Sequence, residues 1–136
     1  MNEHLSLELS KRLQELGVVV EVGHVWEVRA LGTLEEKKKV VLSMFKDYNL
    51  GREYFPAPTF IELWAVMPWV INYGTTTYVK TLSEDSRGVT TASYEYTDWE
   101  ESEFVPVKES PHESPVEAAG LLLIWLAENG HVEVSP

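Results

Sequence analysis

The side chains best suited to acid–base or metal chemistry are four histidines, His4, His24, His112 and His131. They are spread from end to end, with no i,i+4 pair and no H-E-x-x-H run, so a zinc site would have to be assembled by the fold. His24 falls in register with Val22 and Trp26 and is expected as a hydrogen-bonded core residue rather than a ligand. The absence of cysteine excludes disulfides, thiolate metal sites and a cysteine nucleophile. The run Asp98-Trp99-Glu100-Glu101-Ser102-Glu103 offers alternate oxygens to a hard cation, but it lacks the glycine and terminal spacing of a dedicated calcium loop. No nucleophile elbow, phosphate loop or dinucleotide fingerprint occurs. Acidic residues are too abundant for any one carboxylate pair to stand out as acid and base. No catalytic residue, metal or cofactor is therefore assigned.

One constellation remains. Tyr54, Phe55, Phe60, Trp64, Trp69 and Tyr73 fall within twenty residues around a proline-rich turn. Such a set can line a ligand groove or a subunit interface. It can equally form a core corner, the favoured reading in a domain of this size because large aromatics dominate core burial.

The elements that must position these residues can be read in order. Leu5, Leu9, Leu13 and Leu16 mark an amphipathic helix that Gly17 stops, with Glu8 and Arg12 in favourable i,i+4 order. Val18 to Arg29 alternates as a strand, with Val20, Val22, Trp26 and Val28 on one face. Thr33 and Glu36 form a capping box, and loose helical spacing from Leu34 to Tyr48 favours a helix. The competing reading is a strand from Lys39 to Phe45 paired with the preceding one. Thr59 and Glu62 cap a short helix carrying Phe60, Leu63, Trp64 and Met67, which Pro68 ends. Tyr73–Leu82 and Val89–Thr97 flank a polar connection and predict a hairpin. Asp98 to Glu113 is acidic, proline-containing and aperiodic, which predicts a loop. Ser114-Pro115-Val116-Glu117 then opens a helix as N-cap, first-turn proline and capping-box acid; Asn129-Gly130 ends it. Val132 and Val134 are placed to add a short strand.

The pattern predicts a single α+β domain over residues 1–136. An antiparallel sheet, built from the first strand and the central hairpin, is covered on one face by the N- and C-terminal helices. The last helix is apolar nearly all round, so it is expected either at the centre or at a homodimer interface.

Three stretches together resemble a family of small uncharacterised bacterial proteins, often phage- or prophage-associated. They are Leu5-Ser6-Leu7-Glu8-Leu9-Ser10-Lys11-Arg12-Leu13, Tyr54-Phe55-Pro56-Ala57-Pro58-Thr59 and Leu122-Leu123-Ile124-Trp125-Leu126-Ala127-Glu128-Asn129-Gly130. These are helix faces, caps and a turn, so the resemblance implies an architecture and a phage-related setting. It brings no activity and no catalytic residue.

Composition bounds the function. The 136 residues carry 11 Lys+Arg and 22 Asp+Glu, a net charge of −11, and 44% are apolar. A chain this acidic is unsuited to gripping a phosphate backbone, so no direct nucleic-acid binding is expected. The longest apolar stretch, Val116–Ala127, is shorter than the roughly 20 residues of a spanning helix. The N-terminus lacks the basic and apolar regions of a signal peptide, so the expected compartment is the cytoplasm. Most of the negative charge lies after residue 80, where 2 Lys/Arg face 12 Asp/Glu. A solvated surface, docking to a basic partner and mimicry of nucleic acid all accommodate that field. The first functional expectation is a non-enzymatic accessory protein acting on a protein partner. The alternatives are a small enzyme or small-molecule binder using the Trp/Tyr cluster, and an acidic nucleic-acid mimic.

Overall fold

The computed structural model describes residues 3–30, 38–44, 53–98 and 103–134, with side chains described for 3–26, 55–96 and 105–134. In chain order the elements are α1 (Leu7–Glu15), β1 (His24–Ala30), β2 (Lys38–Met44), β3 (Glu53–Pro56), α2 (Phe60–Val66), β4 (Val70–Tyr73), β5 (Thr76–Glu84), β6 (Thr90–Asp98), β7 (Glu103–His112) and α3 (Pro115–Glu128). All strand pairs are antiparallel. The α+β class holds, with helices at both ends of the chain. The strands do not form one layer, however. β1 joins β2 and β3 in a three-stranded sheet, and the central hairpin belongs to a separate sheet of order β4-β5-β6-β7.

α3 is the centre of the domain. Val116, Ala118, Ala119, Gly120, Leu122, Leu123, Ile124 and Leu126 are all buried, the central placement that its apolar surface predicts. α3 lies on β6 and β7, while α1 and α2 pack against it. Its start follows the sequence, with Ser114 Oγ accepting from Glu117 N and proline in the first turn. The acid of the expected capping box does something else. The Glu117 carboxylate accepts from the backbone N–H and hydroxyl of Ser6, at 2.9 and 3.2 Å, and so ties together the N-termini of α1 and α3. A carboxylate is favourable at both helix ends. Arg12 likewise leaves Glu8 and reaches Glu15 and, on α3, Glu128 at 3.2 Å.

Several expected elements change. Val18–Gly23 belongs to no strand; Val18 and Val20 are buried while Val19 is exposed, and the ladder starts only at His24. Gly23 shifts the alternation by one, so Val25 is buried on the inner face; the Gly23 N–H is met by the Glu62 carboxylate at 3.0 Å rather than by a strand. The favoured helix after Leu34 is corrected to β2 over Lys38–Met44, where β-branched Val40 and Val41 lie in a segment that pairs along the full length of β1. The Thr33–Glu36 box lies outside the described residues. The expected loop from Asp98 to Glu113 contains β7. Its prolines are tolerated because β7 is an edge strand, and a bulge between Tyr94 and Glu95 pairings leaves Val107 as the extra residue that hides the period. β3 and β4 were not expected, and the tail forms no strand, since the chain turns at Asn129–Gly130 (φ +73° at Gly130) and leaves Val134 exposed. Among the described residues no helix is long and apolar enough to cross a membrane.

Gly120 receives Leu5, which is fully buried; a Cβ at position 120 would collide with Leu5 Cδ1. Gly120→Ala gains about 1 kcal/mol of helix propensity but overpacks a closed site at a cost of about 1–3 kcal/mol. A net loss of stability is expected in urea unfolding. With Leu5→Ala already present the same change should be neutral or stabilising; strict additivity of the two substitutions would contradict this packing.

Candidate functional site

α2 has only seven residues, too few to be stable alone, and is held at both ends. At its start Thr59 and Glu62 form the complete capping box read from the sequence. At its end sits Lys80 of β5, 6% exposed, whose ammonium donates to the Trp64 carbonyl at 2.8 Å and the Met67 carbonyl at 3.1 Å. The same Nζ lies 4.5 Å from the Trp64 ring centroid and 4.2 Å from that of Trp69. The Lys80 backbone N–H also donates to the Trp69 carbonyl at 2.8 Å. Among the described residues no carboxylate pairs with this charge. Carbonyls at a helix C-terminus and two indole faces take the place of water, an arrangement that is strong where water is excluded. Burial lowers the Lys80 pKa from its ordinary value. The amine is committed as a double donor to carbonyls, so it acts as a clamp rather than as a nucleophile.

The clamp fixes the aromatic side chains differently. Phe60 and Trp64 stack at 5.3 Å and lie half-buried against the core. Trp69 rests one side against Lys80 yet remains 69% exposed. Tyr73 lies apart, 6.3 Å from Trp125 and 6.0 Å from His131. Phe55 is on the three-stranded sheet with Lys11 Nζ 5.2 Å from its ring centroid. Tyr54 lies in β3, and its side chain is outside those described. Of these residues Trp64 and Trp69 share the Lys80 clamp, Phe60 stacks on Trp64, and Phe55 and Tyr73 lie elsewhere.

Beside Trp69 runs a groove of about 490 Å³. Its walls come from the Val18–Val19 arm, from Ala65 to Pro68 at the end of α2, from Leu123 of α3, and from the His131–Glu133 tail. Ile61, Ala65 and Val66 extend the apolar surface along the outer side of α2, and Val19 is 70% exposed. His131 stacks on Trp125 at 5.4 Å, and its Nε2 is buried without a partner. The groove therefore offers apolar surface and one projecting indole, without a nucleophile–base pair.

The other candidates are placed as follows. His24 is half-buried rather than core, and its ring meets His4 edge-on at 4.9 Å. Among the described residues no group of three His, Asp or Glu is placed to hold a metal. Residues 99–102 of the acidic run lie outside the described residues. Asp85, in the acidic hairpin turn, accepts from the backbone N–H groups of Arg87 and Val89 and from the Arg87 guanidinium, which holds its carboxyl below the usual range. Part of the acidity is therefore turn chemistry. Sequence reading missed Lys80 and Val19, and it named His131 without placing it at the groove. The signal for Lys80 was its position in β5, on the same face as Tyr78 and opposite Tyr94, where an apolar residue belongs. Comparison with protein-family models, curated proteins and solved structures returns no match.

Tyr94 braces the site from below. It is fully buried in β6, and its hydroxyl donates to the Pro68 carbonyl at 2.6 Å. Burial pushes the phenol well above its ordinary value of 10.0. The unfolded chain therefore releases this proton first, and stability that is full below the ordinary tyrosine pKa is lost as pH rises beyond it. Lys80 works in the opposite sense: its lowered folded pKa penalises the charged form, and the penalty is relieved as pH rises through that value. In absorbance titration the Tyr94 phenol should ionise only with unfolding, and Tyr94→Phe should abolish that step. Its persistence in the variant would contradict the assignment.

Proposed function

We propose that the protein is a non-enzymatic binding or accessory protein, in the cytoplasm of a bacterium and of phage or prophage association, that engages a protein partner through the groove beside Trp69. The observation that carries this reading is a large exposed indole, resting against Lys80, at the edge of a groove lined mainly by apolar residues. A rigid exposed tryptophan is the side chain most enriched among binding hot spots, because it brings much apolar area and loses little freedom on burial. Apolar patches rimmed by polar residues mark interaction surfaces on soluble domains. The absence of an acid–base or nucleophile arrangement in the groove favours contact over chemistry. The phage setting rests on the resemblance of the two terminal helices and the proline turn, given above.

Capture from bacterial lysate on wild-type protein and on a Trp69→Glu variant tests the reading. Trp69 is exposed, so the variant should keep a near-wild-type urea midpoint while losing the proteins that wild type retains. Identical capture by both forms would contradict it.

A further inference from the structure

We infer that Asn129–Gly130 is a modification site, where the asparagine amide is lost through a succinimide and the cap holding the C-terminal tail is undone. The nucleophile in this chemistry is the backbone nitrogen that follows asparagine, and glycine alone leaves that nitrogen unshielded by a neighbouring side chain. The chain has four asparagines, Asn2, Asn49, Asn72 and Asn129, and they precede Glu3, Leu50, Tyr73 and Gly130. Only the last pair meets the requirement. Asn129 and Gly130 are also both exposed, and nothing lies within 4 Å of where a Gly130 Cβ would stand.

The pair closes α3 in a Schellman motif. The Gly130 N–H donates to the Ala127 carbonyl at 3.3 Å and the His131 N–H to the Leu126 carbonyl at 2.8 Å, with Gly130 at φ +73°. Asn129 Nδ2 donates to the Trp125 carbonyl at 2.9 Å. With its ψ at 10°, Asn129 must rotate before Gly130 N can reach the side-chain carbon, so reaction follows opening of this cap. Helix ends at the surface open at small cost. Gly130 N then gives its proton to solvent base and bonds Asn129 Cγ. The Cγ–Nδ2 bond breaks, and the amide nitrogen leaves as ammonia with a proton from water. Water adds to one of the two ring carbonyls, and the ring opens to aspartate or isoaspartate.

Neither product can donate to the Trp125 carbonyl as the amide did. Both place a carboxylate beside the free carbonyls at the C-terminus of α3, where the helix field disfavours it. Isoaspartate also inserts a carbon into the backbone just before the turn. Beyond that turn the His131 ring stacks on Trp125 at 5.4 Å and Val132 packs against the core. Conversion therefore releases His131–Glu133, one wall of the groove, whatever the groove binds.

The full-length protein is held in mildly alkaline buffer and mapped by mass spectrometry after digestion at acidic pH, where succinimide formation is slow. Conversion should appear at Asn129 before Asn2, Asn49 or Asn72, and should quicken as pH rises. Urea should speed it by up to about tenfold, the factor for a cap worth about one hydrogen bond. In converted protein and in Asn129→Asp the His131 amide should exchange with solvent faster than in fresh wild type. Asn129→Gln, kept equally long, should show neither a mass change nor altered exchange. Conversion first at another asparagine would overturn the site. So would an intact Asn129 in folded protein long after the urea-unfolded chain has converted. Conversion that leaves His131 exchange unchanged would overturn its effect on the tail.

Discussion

The ammonium of Lys80 ties the end of α2 to β5, and with it the cover of the central helix to the sheet on which that helix lies. α3 is apolar on nearly every side and must be covered on every side. The sheet covers one side and α1 another, but the remaining cover is α2, one of the shortest elements in the chain. A seven-residue helix contributes little hydrogen-bonded stability of its own. It is kept in place by Leu63 and Met67 in the core, by the Thr59–Glu62 box, and by a lysine that satisfies carbonyls at its far end. Leaving those carbonyls unpaired and shielded from water would cost about 1–3 kcal/mol.

The exposed site follows from that arrangement. Because α2 is spent on covering α3, its outer side retains Ile61, Ala65 and Val66, and the chain leaves it through Pro68 into an indole that Lys80 will not let fold back. The groove is thus the outer side of the core's own cover. Tyr94 bonds the Pro68 carbonyl from beneath, so the exit of α2 is held to β6 as well as to β5.

Local chemistry made the helices legible. Thr59–Glu62 and Ser114-Pro115 satisfy backbone groups within a few residues and are in the structure as read; of the leucine stripe, Leu9 and Leu13 lie in α1, while Leu5 precedes the N-cap Ser6 and Leu16 caps the end. What failed depended on distant partners. Val40 and Val41 took their state from β1, and β7 was concealed by Pro106, Pro111 and one bulged residue. Glu117 and Arg12 were claimed by other helices. The aromatic cluster was visible as a composition, but its division depended on a lysine of β5 that reaches Trp64 and Trp69, while Phe55 belongs to the other sheet. Charge on an apolar register, as at Lys80, was the trace that would have linked the aromatic residues to the end of α2.

The decisive measurement is the mobility of the Trp69 indole, by nitrogen-15 heteronuclear relaxation of its N–H in wild type and in Lys80→Met. The clamp predicts an ordered indole in wild type, with order lost and the Trp64–Met67 amides exchanging faster in the variant. An indole that already moves freely in wild type, or one whose order survives the loss of the ammonium, would contradict it.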